Sequence, residues 1–366
     1  MELLFIAGIG VALLIEFLLI SKKNKSESDS ILTIWMFVIL VHLFLFFLYF
    51  TRDVYRFPFL LGLEAPLPLL HGVFLFLYAS YITEQLPEKR WSFLFHFIPA
   101  IAMYLYLIEF FILPADQKIL IYQNQGAGHE TFNSVKHYAI TCSGIFYVIW
   151  TVLLLRSHRK HMRDQFSDLQ NVSLQWLQFL TIGMGAIWFL LIVFKNDALV
   201  FGGIVLFVFL IGFFGVRQAD IFTHNETVEE ETEQKKKYPK SGLTAESSQK
   251  LHRSLLDLMA KEAPYRKSEL TIGDLSSTLG VHPNYLSQII NENEGKNFYD
   301  FVNTYRLEEF KRFIANPKNQ QHTLLSLAFD CGFNSKSSFN RYFKKATGKT
   351  PSEYFSSITS GQNNPT

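Results

Sequence analysis

The chain has 366 residues, of which 49% are hydrophobic and 16% aromatic, with 37 Phe and a formal net charge of +2. That is too apolar for an ordinary two-domain soluble protein, and the excess lies before residue 217. Two cysteines, Cys142 and Cys331, sit in unlike surroundings and supply neither a disulfide framework nor a cysteine zinc site.

The first apolar run starts at residue 3 with no basic residues before it, and Lys22, Lys23 and Lys25 follow it. No small-residue cleavage site precedes those lysines, so the run reads as a first span with its N-terminus outward rather than as a signal peptide. A window of about 19 residues then finds seven apolar segments, near 3–20, 31–50, 59–82, 92–113, 135–155, 176–194 and 198–216. Each is long enough for a hydrocarbon core of roughly 30 Å. The third is interrupted in its outer part by Glu64, Pro66 and Pro68, and the last two form a tight hairpin around Lys195, Asn196 and Asp197.

Basic residues set an expected sidedness. Lys22, Lys23, Lys25, Lys89, Arg90, Arg156, Arg159, Lys160 and Arg163 fall in the first, third and fifth loops, while the even loops carry Arg52, Arg56, Lys118 and Lys195. The excess of Lys and Arg puts the odd loops in the cytoplasm and the N-terminus outside. Seven crossings then deliver the C-terminus to the cytoplasm, which points to the inner membrane of a bacterium. The outer loop 114–134 is too short for an extracellular domain, so a signal has to bind within the spans or among short loops.

Residues 218–242 form a charged linker, in which five glutamates from Glu226 to Glu233 precede Lys235, Lys236, Lys237 and Lys240. Polarity alone makes it a solvated connector. The competing reading is a transmission or dimerising segment whose lysines touch anionic lipid headgroups.

From Leu243 the helical period returns. Leu251, Leu255, Leu258 and Met259 give one apolar face, and Pro264 ends that helix. Leu270, Ile272, Leu275 and Leu279 form the buried face of a supporting helix. Gly280 makes the turn, Val281 plugs it, and Pro283 opens a second helix anchored by Leu286, Ile289 and Ile290. A longer helix follows, with Phe298, Phe301, Val302, Tyr305, Phe310 and Phe313 inward. Then the helix–turn–helix pattern repeats: Leu324, Leu327, Ala328 and Cys331 pack, Gly332 turns, Phe333 plugs, and Phe339, Tyr342 and Phe343 anchor the next helix. Lys336, Arg341, Lys344, Lys345 and Lys349 make this second unit locally basic.

Residues 273–354 resemble the DNA-binding domain of the AraC/XylS transcription regulators along its full length. The second half carries the resemblance in Ala328, Gly332, Phe333, Ser338, Phe339, Arg341, Phe343, Lys344, Gly348, Thr350, Pro351 and Tyr354. The first half does so in Leu275, Leu279, Leu286, Arg306 and Leu307. Two departures stand out: Phe355 replaces the usual Arg, and His282 stands where Ser often caps the helix. The resemblance implies seven helices forming two helix–turn–helix units joined by the long helix, with double-stranded DNA as partner. By position, Asn284, Ser287 and Gln288 are the base readers of the first unit, and Lys336, Ser337, Asn340 and Arg341 those of the second. Lys344, Lys345 and Lys349 are assigned to phosphates. The apolar half resembles, more loosely, membrane-sensor regions that precede such domains, through Leu69, Leu70, His71, Gly72 and Tyr78 and through His96, Phe97, Ile98 and Pro99.

Ionisable groups inside apolar segments are costly and seldom idle. One reading makes His42, Glu64, His71 and Tyr78 the lining of a cavity for a small amphipathic ligand or a proton; the other makes them partners in interhelical hydrogen bonds. Nothing points to catalysis: there is no HExxH, no Gly-rich phosphate loop and no nucleophile–base pair, and no cofactor or metal site is expected. His158 and His161 on the basic fifth loop are solvated surface.

The expected architecture is therefore all-α: a seven-transmembrane-helix sensor bundle over 1–217, the linker 218–242, an AraC-type double helix–turn–helix domain over 243–356, and a disordered tail over 357–366. The expected partners are double-stranded DNA, the lipid bilayer, an unidentified small-molecule or membrane signal, and a second copy in a homodimer. A shift in span packing would pass along the linker and act through tail dimerisation or release from the membrane surface. The rival reading is a seven-span transporter or membrane enzyme with a regulatory tail.

Overall fold

A computed structural model describes residues 2–87, 89–169, 174–194, 196–217, 245–319 and 321–362. The linker 218–242 and residues 363–366 of the tail lie outside the described residues. Among those described, the chain is all-helical, and the single β feature is an isolated antiparallel bridge between Phe166 and Thr271. The chain divides into two compact units: Met1–His158 with Leu174–Glu231, and Arg159–Ser173 with Thr232–Thr366. The second unit therefore includes a stretch from between two apolar helices.

In the first unit, helix α1 (Glu2–Ser21) packs on α2 (Glu27–Phe50), α2 on α3 (Leu67–Ile82), and α1 on α9 (Asp197–Arg217), which pairs with α8 (Gln175–Phe194). The turn into α2 is a capping box. Asp29 accepts the Ser26 N–H at 2.8 Å and Ser26 Oγ accepts the Asp29 N–H at 3.1 Å, while Lys22 pairs with Asp29 at 2.8 Å. Close helix approach needs small residues. A Cβ on Gly144 would stand 2.2 Å from the Trp188 ring, and one on Gly8 would stand 2.8 Å from Val205.

The third expected span, 59–82, is helical only from Leu67; before it the chain makes 3-10 turns at Asp53–Arg56 and Pro58–Leu60. Pro66 and Pro68 explain this, since neither donates a backbone N–H and each restricts the residue before it. Sixteen residues of α3 give about 24 Å of helix, less than a bilayer core. The fourth, 92–113, is likewise composite: a 3-10 stretch (Arg90–Phe97), α4 (Ile98–Tyr106) and α5 (Ile108–Phe111). A short helix α6 (Ala115–Gln123) lies within the stretch 114–134 expected as an outer loop, and α7 (Glu130–Gln165) runs 36 residues, well past the expected 135–155. Among the described residues, α1, α2, α7 and α8 are long and apolar enough to cross a membrane, and Leu67–Ile82 and Ala198–Phe213 are shorter apolar helices.

In the second unit, α10 (Ala245–Lys261), α11 (Ile272–Leu279) and α12 (Pro283–Glu294) precede the long α13 (Phe298–Ala315). Then come α14 (Leu324–Asp330), α15 (Lys336–Thr347) and α16 (Pro351–Gln362). Two cores form, and α13 serves both. Its Phe298, Phe301 and Val302 join Leu255, Met259, Leu275, Leu286 and Ile290. Its Leu307, Phe310 and Ile314 join Leu327, Ala328, Phe333, Phe339 and Phe343.

At the turn between α14 and α15, Gly332 has φ +95°, and a Cβ there would stand 2.4 Å from the Tyr265 carbonyl oxygen and 2.8 Å from that of Arg266. Backbone strain and a backbone clash coincide, so Gly332→Ala is expected to destabilise the module by more than about 2 kcal/mol. Hydrogen exchange of residues 324–343 in the purified full-length chain reads the change, and wild-type protection would contradict it.

Candidate nucleic-acid interface

Both helix–turn–helix units are set by caps. Before α11, Thr271 and Asp274 form a capping box: Asp274 accepts the Thr271 N–H at 2.9 Å, and Thr271 Oγ1 accepts the Asp274 N–H at 3.1 Å. Gly280 ends that helix with φ +67°. The departure at His282 is resolved by the ring itself: Nδ1 accepts the Asn284 N–H at 3.2 Å, so histidine performs the capping task of serine. In the second unit, Thr323 Oγ1 accepts from Ser326 N–H at 3.1 Å and Ser335 Oγ from Ser338 N–H at 3.2 Å.

These caps aim two polar faces outward. On α12, Asn284 and Gln288 are exposed and Ser287 is half-buried, opposite the buried Leu286, Ile289 and Ile290. Gln288 donates to Glu292 at 2.7 Å, and Asn291 donates to the Ser287 carbonyl at 2.8 Å. On α15, Lys336, Ser337, Asn340 and Arg341 are all exposed, opposite Phe339, Tyr342 and Phe343. Lys344, Lys345 and Lys349 are exposed too. Lys345 differs from its neighbours because its Nζ pairs with Asp300 at 2.9 Å and lies over the Tyr342 ring. A phosphate contact there has to compete with that pair. The Tyr342 hydroxyl, pushed up to about 12 by burial, donates to the Asp300 carbonyl at 3.0 Å.

At the centre of the module lies Arg306, 1% exposed. Its Nε donates to the Tyr265 carbonyl at 2.7 Å, and its Nη2 donates to those of Lys267 and Ser268 at 2.7 and 3.2 Å. Burial pushes its guanidinium down to about 10, opposed by the charge of Asp168, and at neutral pH it remains a cation. Cys331 is buried and its thiol is pushed up to about 12 by that burial, which leaves it inert as a nucleophile.

In the first unit a cavity of about 1040 Å³ is lined by His42, His71, Glu64, Tyr122, Trp188, His129 and Lys136, among mostly apolar and aromatic neighbours. A hydrogen bond joins His42 Nδ1 and His71 Nε2 at 2.9 Å, and the two rings stack. Glu64 sits in the turn before α3 rather than on its face; it accepts the Gly62 N–H at 3.1 Å and the Tyr122 hydroxyl. Three of the four sequence-chosen residues thus border one cavity. Tyr78 does not line it and packs edge-on against Trp176. Among the described residues, no group of three or more His, Cys, Asp or Glu is placed to hold a metal ion.

Residues 275–357 match the helix-turn-helix domain family. Similar proteins include the uncharacterized HTH-type transcriptional regulator YobQ of Bacillus subtilis (strain 168), 36% identical over 91 residues, 25% of this chain and 36% of that protein. The HTH-type regulator YijO of Escherichia coli (strain K12) is 31% identical over 111 residues, 30% of this chain and 37% of its own length. The regulator SACOL0084 of Staphylococcus aureus (strain COL) is 34% identical over 86 residues, covering 24% and 11%. The chain thus spans from about a tenth to little more than a third of the length of these curated relatives. A solved Listeria innocua protein of unknown function is 23% identical, covering 28% of this chain and 93% of its own, with a TM-score of 0.25.

If His282 caps α12, His282→Ala costs about 1 kcal/mol locally, and His282→Ser recovers it. Exchange of the amides at the start of α12 is expected to quicken several-fold in the first variant and return to wild type in the second.

Proposed function

We propose that this protein is a one-component transcription regulator tethered to the bacterial inner membrane, which binds specific DNA through its two helix–turn–helix units when its apolar helices sense a signal. The observation that carries this reading is the division of surface chemistry. Among the described residues, the large apolar side chains left exposed, such as Leu14, Phe17, Phe37, Ile101, Phe189 and Leu206, belong to the first unit, and Phe329 alone belongs to the second. Soluble surfaces do not carry apolar area on that scale, whereas a bilayer requires it. The second unit turns outward Lys336, Asn340, Arg341, Lys344 and Lys349 instead. Its likeness to proteins named as transcriptional regulators supports DNA as its partner and a role other than catalysis.

Seven crossings, with the N-terminus outside and the module in the cytoplasm, agree with the distribution of Lys and Arg among the loops. The third and fourth crossings are then composite, and protein covers their irregular stretches only in part: Val54, Leu61 and Phe93 are buried, while Phe59, Trp91, Leu94 and Phe95 are exposed. Sensing is assigned to the cavity bordered by His42, Glu64 and His71. A ligand there acts by binding two helix arrangements unequally. Asn284, Ser287, Gln288, Lys336, Ser337, Asn340 and Arg341 read bases, and Lys344 and Lys349 with Lys345 neutralise phosphates.

A genome-wide crosslinking map of the intact protein is expected to show discrete peaks that vanish in the Lys336→Ala/Arg341→Ala variant while membrane insertion is unchanged. Peaks that persist in the variant would remove the second unit from base reading. With purified full-length chain, the logarithm of the affinity for a bound site is expected to fall linearly with log salt. Lys344→Ala and Lys349→Ala should each lower that slope by about 1 without relaxing sequence preference.

A further inference from the structure

Four residues from the loop after α7 are built into the second unit, over a hundred positions away from their partners in sequence. Phe166 bridges Thr271. The Ser167 N–H and hydroxyl both donate to the Leu270 carbonyl, at 3.1 and 2.6 Å. In return, the Ser167 carbonyl accepts from Asn303 Nδ2 at 3.0 Å and Arg306 Nη1 at 3.3 Å, and its Oγ accepts from Arg306 Nη2 at 3.1 Å. Asp168 accepts from Asn334 Nδ2 at 3.0 Å, and Leu169 packs on the second core. Ser167 is 1% exposed, as is Arg306.

We propose that residues 166–169 are a docking strand that completes the double helix–turn–helix domain and holds its two units in the arrangement that binds DNA. This deepens the regulator reading and rests on it. It adds a second, hydrogen-bonded tie to the DNA-binding half, made by the chain that follows α7 rather than by 218–242.

Three observations carry the inference. The first is chemical. A buried guanidinium has five N–H donors to satisfy. The module's own carbonyls serve Nε and Nη2, but Nη1 has only the Asn303 side chain, at 3.3 Å, besides Ser167. Withdrawing the strand leaves a buried cation short of acceptors, an expensive state that water must enter to relieve.

The second is positional. Leu270 and Thr271 lead into α11, where Thr271 is the cap; Asn334 immediately precedes Ser335, the cap of α15. The strand therefore grips the entry to the first unit and the turn of the second, with Arg306 of the shared helix α13 between them. Two recognition helices must reach successive groove faces together, and a brace across both units fixes that relation. The third is packing: Leu169 lies on the second core, and the Arg163 guanidinium lies 6.0 Å from the Tyr299 ring centre, so contact extends on both sides of Ser167.

The test compares full-length wild type with Ser167→Pro, which removes both the N–H and the hydroxyl, in lipid nanodiscs. Ser167→Ala, which keeps the main-chain bonds, and Asp168→Ala, which cuts the hold on Asn334 and removes a charge acting on Arg306, accompany it. In Ser167→Pro, exchange of residues 265–271 is expected to rise about tenfold, the worth of hydrogen bonds to a charged group, with smaller rises in the other two. Affinity for a mapped site should fall in the same order, and protection of 286–290 should stay at wild type, showing the module still folded. Unchanged exchange at 265–271 in all three variants overturns the docking. Faster exchange with unchanged DNA affinity overturns its role in presenting the recognition helices. Absence of specific DNA binding by the wild-type chain defeats the regulator reading instead, and the exchange data still decide whether the strand docks.

Discussion

The second unit depends on the burial of one guanidinium. Arg306 sits mid-way along α13, the helix common to both cores, and a charge taken out of water there is tolerated only while backbone carbonyls surround it. Those carbonyls come from the chain between α10 and α11 and from the strand after α7. Satisfying one side chain therefore fixes where three separate stretches of chain lie. The same stretch between α10 and α11 presses Tyr265 and Arg266 carbonyls against Gly332, leaving no room for a Cβ at the turn of the second helix–turn–helix unit. The geometry of the second recognition helix is thus tied to a polar interaction in the interior.

In the first unit the governing constraint is the opposite one. Its helices carry apolar residues around their whole circumference, so no hydrophobic stripe chooses which side packs. Small residues and polar pairs make the choice: Gly8 lets α1 approach Val205, Gly144 receives the Trp188 ring, and His42 reaches His71. The His42–His71 bond joins α2 to α3 at the wall of the cavity. The two readings of the histidines, as cavity lining and as interhelical partners, describe one arrangement. A group that both holds two helices and borders a cavity is well placed to bias one packing against another.

Much of the module is legible in its sequence. Periodicity located its helices, and glycines at 280 and 332 marked its turns. The outward placement of Asn284, Lys336, Asn340 and Arg341 followed from which neighbours were apolar. Legibility failed where the deciding partner was remote or the local signal ambiguous. His282 was an apparent missing cap, because the ability of a ring nitrogen to accept from a backbone N–H depends on its rotamer rather than on residue type. Pro66 and Pro68 were visible, but how far they would shorten the third apolar helix was not. The pairing of Lys345 with Asp300, 45 positions earlier, has no local signature either.

By itself the sequence determined the apolar character of one half, the helical content, and the double helix–turn–helix order with its polar faces. These follow from local periodicity and composition, which residues carry wherever the chain goes. Only the tertiary structure decided that His42, His71 and Glu64 meet at one cavity while Tyr78 turns away, and that Ser167 belongs to the module rather than to a loop. Hydrogen bonds between residues over a hundred positions apart are set by how helices pack in three dimensions, and no local pattern of residue types encodes that.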